Sequence, residues 1–449
     1  MILFHMILPM LGMISRWFLI IWILLVAAEF LSKFNSRTRL QHLGFLCYIA
    51  PFELLARVLQ CTPFIPYELS KYLFVIYSIA LIIRFNRDFK PAILIFSSVI
   101  LSIVIYGFDK QNYTFNALGP ISLILLSIAF KDTIIKDPFV ILRLIILPLI
   151  SLWFYCLINT PNISELDYSF SSSDLLTGGF GTNQVATAFG VACLILYLFI
   201  FFRIRFTSFL LGDVLLFSFI LIQGLLSFSR GGVIGFFGAG IVFSIIYLFR
   251  SGRFRTLGYL GLGLVLVAIG FLYVNKLTGN QLLSRYKGET YGVKVGGKEN
   301  DLNNLTTNRF EIFMSDIDLW RSEILFGIGI GNSRFARAFD NGNVAHTELS
   351  RLLAEQGIFG LLFFIQWLWL GGYGYMKNRT TYGKALVAAF FFLALFSSFH
   401  AAIRTFVSPL FTALSVVTFL PISRFKMQPL NSNNKNHVRN NRIVSGPSV

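Results

Sequence analysis

The sequence predicts an all-α polytopic membrane protein with about 12–13 transmembrane helices and one large, partly helical outer loop. Three observations predict it. Of 449 residues, 55% are hydrophobic and only 13% are charged, whereas an average soluble domain has about 25% charged residues. Apolar runs near ~20 residues recur, each long enough to cross a ~30 Å hydrocarbon core as a helix. They are continuous, as in 90–107 and 185–202, where a membrane barrel would alternate in segments of ~10 residues. Finally, most Lys and Arg lie in short loops between these runs. Topology therefore explains much of the net charge of +17, which on a soluble protein would point to nucleic acid.

The first ten spans are placed near 14–32, 43–59, 69–85, 90–107, 113–130, 139–159, 183–202, 207–228, 231–249 and 256–275. Three more follow the loop, near 358–376, 384–402 and 405–423. The chain thus divides into a helical region 1–275, a soluble loop 276–357, a C-terminal helical region 358–425 and a tail 426–449. The span 43–59 is the weakest, because it contains Glu53 and Arg57. Residues 1–13 are apolar but too short to span alone. No A-x-A-like cleavage site follows them, so the N-terminus reads as a first membrane segment rather than a removed signal peptide. Lys33, Arg37 and Arg39 share a loop, as do Arg84, Arg87 and Lys90, then Lys131 and Lys136. The alternation continues through Arg203 and Arg205, Arg250 to Arg255, Lys377 to Lys384, and Arg424 with Lys426. All fall on one side, taken as cytoplasmic. The loop 160–182 carries Glu165, Asp167 and Asp174 without Lys or Arg, and so lies outside, as does 276–357 by the same count. The tail is rich in Asn, Ser and Pro and is expected to be disordered. Cys47, Cys61, Cys156 and Cys193 lie in or beside apolar runs and read as small buried hydrophobes.

Within the outer loop, 276–306 is polar and Gly-rich, consistent with a mobile segment. The stretch 308–322 puts Phe310, Phe313, Ile317 and Trp320 on one helical face. It predicts an amphipathic helix lying on the membrane or the bundle, capped by Thr307 or Asn308. A Gly-punctuated turn, 325–332, leads to a second helix over 346–356 with Leu349, Leu352, Leu353 and Gln356 on one side. Gly357 breaks it before the next span begins at Ile358.

Several residues are candidates for chemistry. Arg230 stands in LLSFSRGG at the outer end of a span. An arginine at membrane depth is costly and marks a functional site, unless it snorkels to the interface. Its guanidinium suits a diphosphate bidentately, and its small neighbours would let a ligand approach the backbone. Arg309 opens the amphipathic helix; Arg321, Arg334, Arg337 and Arg351 add further cations to the loop. That excess on an outer face favours an anionic ligand such as a lipid-linked diphosphate. His346 precedes a helix near these arginines, whose charge would hold it neutral, as a general base requires. A lone loop histidine is also often a plain surface residue. Glu348 and Glu355 would orient a partner or pair with Arg351 along the helix surface. His400 and Arg404 end a later span and would complete a basic cluster that meets the substrate. Asn183 and Gln184 follow a Gly-rich outer loop and would bind sugar hydroxyls or cap the helix. Glu29, Arg143 and Asp213 are expected to pair or snorkel. There is no P-loop, no H-E-x-x-H and no acidic metal cluster outside the membrane. A metal-dependent nucleotide-sugar transferase and an ATP-driven pump are therefore disfavoured, and neither metal nor cofactor is expected. No inverted repeat favours a transporter.

Four segments, in this order, resemble the O-antigen ligase and polymerase superfamily of bacterial membrane glycosyltransferases. They are GGFGTNQVATAFG (178–190), LLSFSRGGVIGFF (225–237), NRFEIFMSDIDLW with LFGIGIGN (308–332), and AHTELSRLLAEQGIFGLLFF (345–364). The first 160 residues match only as generic membrane spans. The resemblance implies a lipid-sugar-dependent (GT-C-like) glycosyltransferase fold in the bacterial inner membrane, with the C-terminus cytoplasmic. It implies transfer of a glycan from undecaprenyl diphosphate to a periplasmic acceptor, without a metal. It carries diphosphate-binding roles onto Arg230 and Arg309 and the essential loop histidine, a proposed base, onto His346. Asn183, Gln184, Arg351, His400 and Arg404 are expected to contact substrate. Many relatives have His-Asn where this chain has His346-Thr347, and HTE-type loops also look like those of exopolysaccharide polymerases. The acceptor is thus lipid A core, for a ligase, or another lipid-linked repeat unit, for a polymerase. A non-catalytic glycolipid transporter is the alternative from another class, and it would need no base in the loop.

Overall fold

The computed structural model describes residues 1–163, 174–252, 255–287, 306, 309–337 and 345–420. Six helices among them are long and apolar enough to cross a membrane: Pro138–Ile158, Thr182–Phe202, Arg230–Ser251, Leu257–Leu277, Glu348–Lys377 and Thr381–Ala401. Lys110–Asn116 and Leu118–Phe130, bent by 46°, make a seventh if counted as one span. Ile2–Ile14, Trp17–Ser32, Lys90–Tyr106 and Leu210–Leu226 are shorter apolar helices. The one strand pairing among the described residues joins Ile134–Ile135 to Thr418–Phe419 in parallel. The protein is an all-α polytopic membrane protein, with no sheet core among the described residues.

Thr182–Phe202 is the central helix, with 94% of its apolar window buried, whereas Leu257–Leu277 is peripheral at 11%. Within lipid, helices gain by close van der Waals approach at small residues. Gly190 accordingly packs on the backbone of Gly232, and Gly232 on that of Ala186. The four cysteines are buried and unbridged, as expected.

Besides the bent run 113–130, two further expected spans are not single straight helices. The run 43–59 breaks into Arg39–Ile49 and Phe52–Val58 around Ala50 and Pro51, because proline cannot continue the helical hydrogen bonds. The run 405–423 is helical only over Val407–Ser415. Nine residues reach about 14 Å, too short to span. The chain then leaves the helix to be held by Asn378, whose Nδ2 donates to the Val417 carbonyl (2.8 Å) and whose Oδ1 accepts from Phe419 N–H (2.8 Å).

The basic loops collect at one end of the bundle. Arg39 and Arg87 donate to the same Lys131 carbonyl (3.1 and 2.9 Å), and Lys377 pairs with Asp132. From there Thr381–Ala401 runs 21 residues, about 31 Å, to the opposite end. There Ala402 N–H donates to the His346 carbonyl (2.9 Å).

In the outer loop the two expected helices are Arg309–Ser322 and the first part of Glu348–Lys377, with a short helix Ser333–Ala336 between them. Gly357 breaks the long element with φ 58° and ψ −132°, as its position suggested. The turn before it takes up the backbone groups the break releases. Ile328 and Gly329 N–H donate to the carbonyls of Ala354 and Glu355 (2.9 and 3.1 Å), and Ile358 N–H to Ile324 (2.9 Å). The buried face of Arg309–Ser322 differs from the predicted one. Ile312 and Asp316 are buried, while Phe310 is 41% exposed. The reason is an ion pair: Asp316 takes Arg337 Nη2 at 2.7 Å and Ser350 Oγ at 2.8 Å, and it must face inward to do so. The second loop helix is enclosed on all sides rather than on one. The expected mobile stretch of 276–306 falls largely outside the described residues, and the tail 426–449 lies wholly outside them.

Candidate active site

The site forms at the end opposite the basic loops. Arg230 starts its helix after Phe228, which adopts a left-handed φ of 56°. Gly231 lies directly beneath the His400 ring, and a Cβ there would overlap the imidazole. The glycines after Arg230 therefore serve packing of protein against protein, where the sequence had suggested room for a ligand.

Arg309, at the start of its own helix, donates through Nη1 to His400 Nδ1 (2.7 Å) and to the His400 carbonyl (3.0 Å). Arginine can only donate. His400 Nδ1 must therefore accept, which leaves the ring neutral with its hydrogen on Nε2. That Nε2 donates to Ser229 Oγ (3.2 Å), and the Ser229 hydroxyl donates to Asn183 Oδ1 (2.9 Å). A directed chain of bonds thus runs Arg309, His400, Ser229, Asn183.

His346 is clamped by the segment after His400. Besides the bond from Ala402 to His346, Arg404 Nη2 donates to the Ala345 carbonyl (2.6 Å) and Ile403 N–H to Glu348 Oε2 (3.1 Å). His346 lines a cavity of about 130 Å³ with Asp174, Asn183, Gln184, Ala401 and Arg404. Its Nδ1 is buried and has no hydrogen-bond partner among the described residues. Burial, then the charges of Arg309, Arg404 and Arg337, lower the His346 pKa to about 3. The ring is therefore neutral at physiological pH. Burial and the neighbouring Arg230, Arg285 and Arg404 push Arg309 down to about 10, so it remains a cation. Burial and then Arg351 do the same to Arg404.

The structure thus brings together Arg230, Arg309, His346, His400, Arg404 and, through Ser229, Asn183. Gln184 lines the same cavity, and its Oε1 accepts from Arg57 Nη1 (2.6 Å). Neither Asn183 nor Gln184 caps the helix: the cap position is Gly181, without a side-chain bond. Two expected substrate ligands are spent inside the protein. His400 has both ring nitrogens engaged. Arg351 is buried between Glu348 and Glu355 (2.9 Å to the latter) and donates to the Asn116 carbonyl (3.0 Å). The Arg351–Glu355 pair therefore lies in the interior, not on a helix surface. Of the other loop cations, Arg337 is committed to Asp316, Arg334 donates to Asn112 Oδ1 (2.8 Å), and Arg321 pairs with Asp318 in solvent. Glu29 pairs with Lys33, Arg143 donates to the Arg205 carbonyl, and Asp213 receives the N–H groups of Phe206 and Thr207.

Sequence reasoning missed Arg285, which is buried beside Arg309. It also missed a buried cluster of Glu53, Arg57, Glu68 and Lys71. The available signal was Glu53 and Arg57 one helical turn apart in an apolar run, where buried charge marks function.

Fold and site together define a polytopic helical membrane protein with a histidine-bearing pocket beside an arginine cluster at one end of its bundle. Residues 215–365 match the family model described as O-antigen ligase, and the match supports membership of the O-antigen ligase superfamily. It takes in Arg230, Arg309 and His346. The family supports a ligase- or polymerase-like glycosyltransferase function in general, with a lipid-linked glycan and an acceptor as partners. A search of the curated proteins finds no match.

Proposed function

We propose that this chain transfers an undecaprenyl-diphosphate-linked glycan to an acceptor on the periplasmic face, in the manner of an O-antigen ligase, with inversion and without a metal. One observation carries the reading: His346 lines a cavity beside an arginine cluster, and its buried Nδ1 has no hydrogen-bond partner among the described residues. Arg230 and Arg309 hold the diphosphate and stabilise the charge that grows on it as the bond to the anomeric carbon breaks. The acceptor oxygen attacks that carbon from the opposite face while its proton passes to His346. One bond forms, one breaks, and no glycosyl-enzyme intermediate is needed. The prenyl tail lies in an apolar groove between helices. A base whose conjugate acid has a pKa of about 3 is weak. Bound diphosphate would offset the neighbouring cations and raise it, so the donor itself activates the base.

A polymerase reading uses the same chemistry with a lipid-linked repeat unit as acceptor, and the His346-Thr347-Glu348 sequence favours it. The deciding assay gives purified protein an undecaprenyl-diphosphate oligosaccharide and defined acceptors. Glycan on lipid A core identifies a ligase; lengthened lipid-linked chains identify a polymerase. His346→Ala and Arg230→Ala are expected to abolish transfer while the protein still purifies folded, and EDTA is expected to leave the wild type unaffected. Full transfer activity of His346→Ala would remove that residue from the mechanism, whereas no transfer by the wild type together with tolerance of His346→Ala in the cell would favour a glycolipid transporter.

A further inference from the structure

Arg57 lies outside the arginine cluster, in the short helix Phe52–Val58, and is buried. All three of its side-chain nitrogens are engaged. Nε donates to the Tyr67 carbonyl (2.7 Å), Nη2 pairs with Glu53 and stands 3.5 Å from Glu68, and Nη1 donates to Gln184 Oε1 (2.6 Å). The guanidinium also lies over the Tyr67 ring, 4.3 Å from its centre. Its carboxylates are held in turn: Ser70 donates to Glu53, and Lys71 sits 2.7 Å from Glu68. Tyr67, Glu68 and Lys71 line a second cavity together with Gln184 and Arg404. Burying four charges is costly, and well-packed apolar residues often stabilise a fold as well or better. What apolar packing lacks is a rigid, planar fork of donors aimed at one amide.

Arginine only donates, so the Gln184 carbonyl must face it and the amide nitrogen must turn away. A reversed amide would set N–H against N–H. Gln184 Nε2 has no hydrogen-bond partner among the described residues, and Gln184 lines the His346 cavity beside Arg404. Asn183 is turned the same way by a different route. The chain from Arg309 ends with the Ser229 hydroxyl donating to Asn183 Oδ1, and Nδ2 likewise has no partner among the described residues. Two neighbouring amides at one cavity thus have their carbonyls engaged inside the protein and their NH2 groups left over. Such groups suit an oxygen that accepts, whether of a hydroxyl, an ether or a phosphoryl group. We propose that Arg57 is a positioning residue, which holds the Gln184 amide so that its NH2 group donates to a substrate oxygen beside His346. The role rests on the transfer reaction proposed above, and both the lipid-linked glycan and its acceptor carry such an oxygen.

The test uses the full chain in detergent. Gln184→Met keeps the length of the side chain without an N–H donor. Gln184→Glu loses the donor too but keeps an acceptor for Arg57. Each is expected to lower kcat/KM for transfer about tenfold, as the loss of one hydrogen bond. A Gln184 that merely anchored Arg57 would be replaced well by glutamate, so wild-type kcat/KM in Gln184→Glu would overturn the proposal. Arg57→Lys keeps a charge between Glu53 and Glu68 but not the fork. It is expected to lower kcat/KM about tenfold by itself and not at all in the Gln184→Met background. Losses that multiply to about a hundredfold would show Arg57 acting by another route, and would also overturn the proposal. If Arg57→Lys does not purify folded, the two Gln184 variants decide, because both leave Arg57 in place. Binding separates the proposal from the reaction. In His346→Ala, Gln184→Met is expected to raise Kd about tenfold for either the undecaprenyl-diphosphate oligosaccharide or one of the two acceptors. That rise without transfer by the wild type would keep the positioning role and remove the reaction. Transfer by the wild type with kcat/KM unchanged in both Gln184 variants would do the reverse, and unchanged binding without transfer would remove both.

Discussion

Two histidines stand in the arginine cluster, and their ring nitrogens separate their roles. His400 is held at both nitrogens, and because Arg309 only donates, protonating His400 would break their bond. His346 keeps one nitrogen unpartnered at a cavity. Its pKa of about 3, against an ordinary 6.5, makes pH dependence a direct test. A base fails as pH falls through its pKa. For the free enzyme that lies near 3, so kcat/KM is expected to show no acidic limb from His346 above about pH 5. In the donor complex the diphosphate raises the pKa, so the acidic limb of kcat is expected at higher pH than that of kcat/KM. Coincident limbs, measured over the same buffers, would contradict activation by the donor. The same depression costs stability in acid. Below pH 6.5 the unfolded chain binds a proton that the folded chain takes up only near 3.

Among the elements, the break at Gly357 does the most to shape the outer loop. Its φ of 58° with ψ −132° lies where only glycine is comfortable, and an added Cβ would press on the carbonyls of Ile324 and Leu325. Gly357→Ala is expected to cost about 1–3 kcal/mol and to lower Tm in a detergent melt; an unchanged Tm would show that the backbone there relaxes freely. This break was legible, because a glycine stood between a polar helix and an apolar run. The inward face of Arg309–Ser322 was not. Periodicity ranks apolar residues, and it could not foresee that Asp316 would turn inward to meet an arginine 21 positions away.

At the scale of the whole molecule, the basic loops and the candidate site occupy opposite ends of one bundle. Membrane sidedness follows as a prediction. Arg321→Cys and Arg379→Cys, both at exposed positions, are expected to react with an impermeant maleimide from opposite sides. The four native cysteines are buried and give little background. Labelling of both from one side would overturn the alternation read from the loops.

Composition and the spacing of charges determined that this chain is a helical membrane protein and which end its basic loops share, whereas the grouping of Arg230, Arg309 and His346 was what the resemblance implied. These properties are local: a run is apolar or it is not, and an arginine at membrane depth is costly wherever its partner lies. The tertiary structure alone decided which arginines are consumed by carboxylates, as Arg337 and Arg351 are, since pairing depends on residues that folding brings together. It also decided that the first 130 residues, which read as plain spans, supply Arg57, Tyr67, Glu68, Lys71 and Asn116 beside the site. A cavity is space left between elements, so only their packing could reveal it.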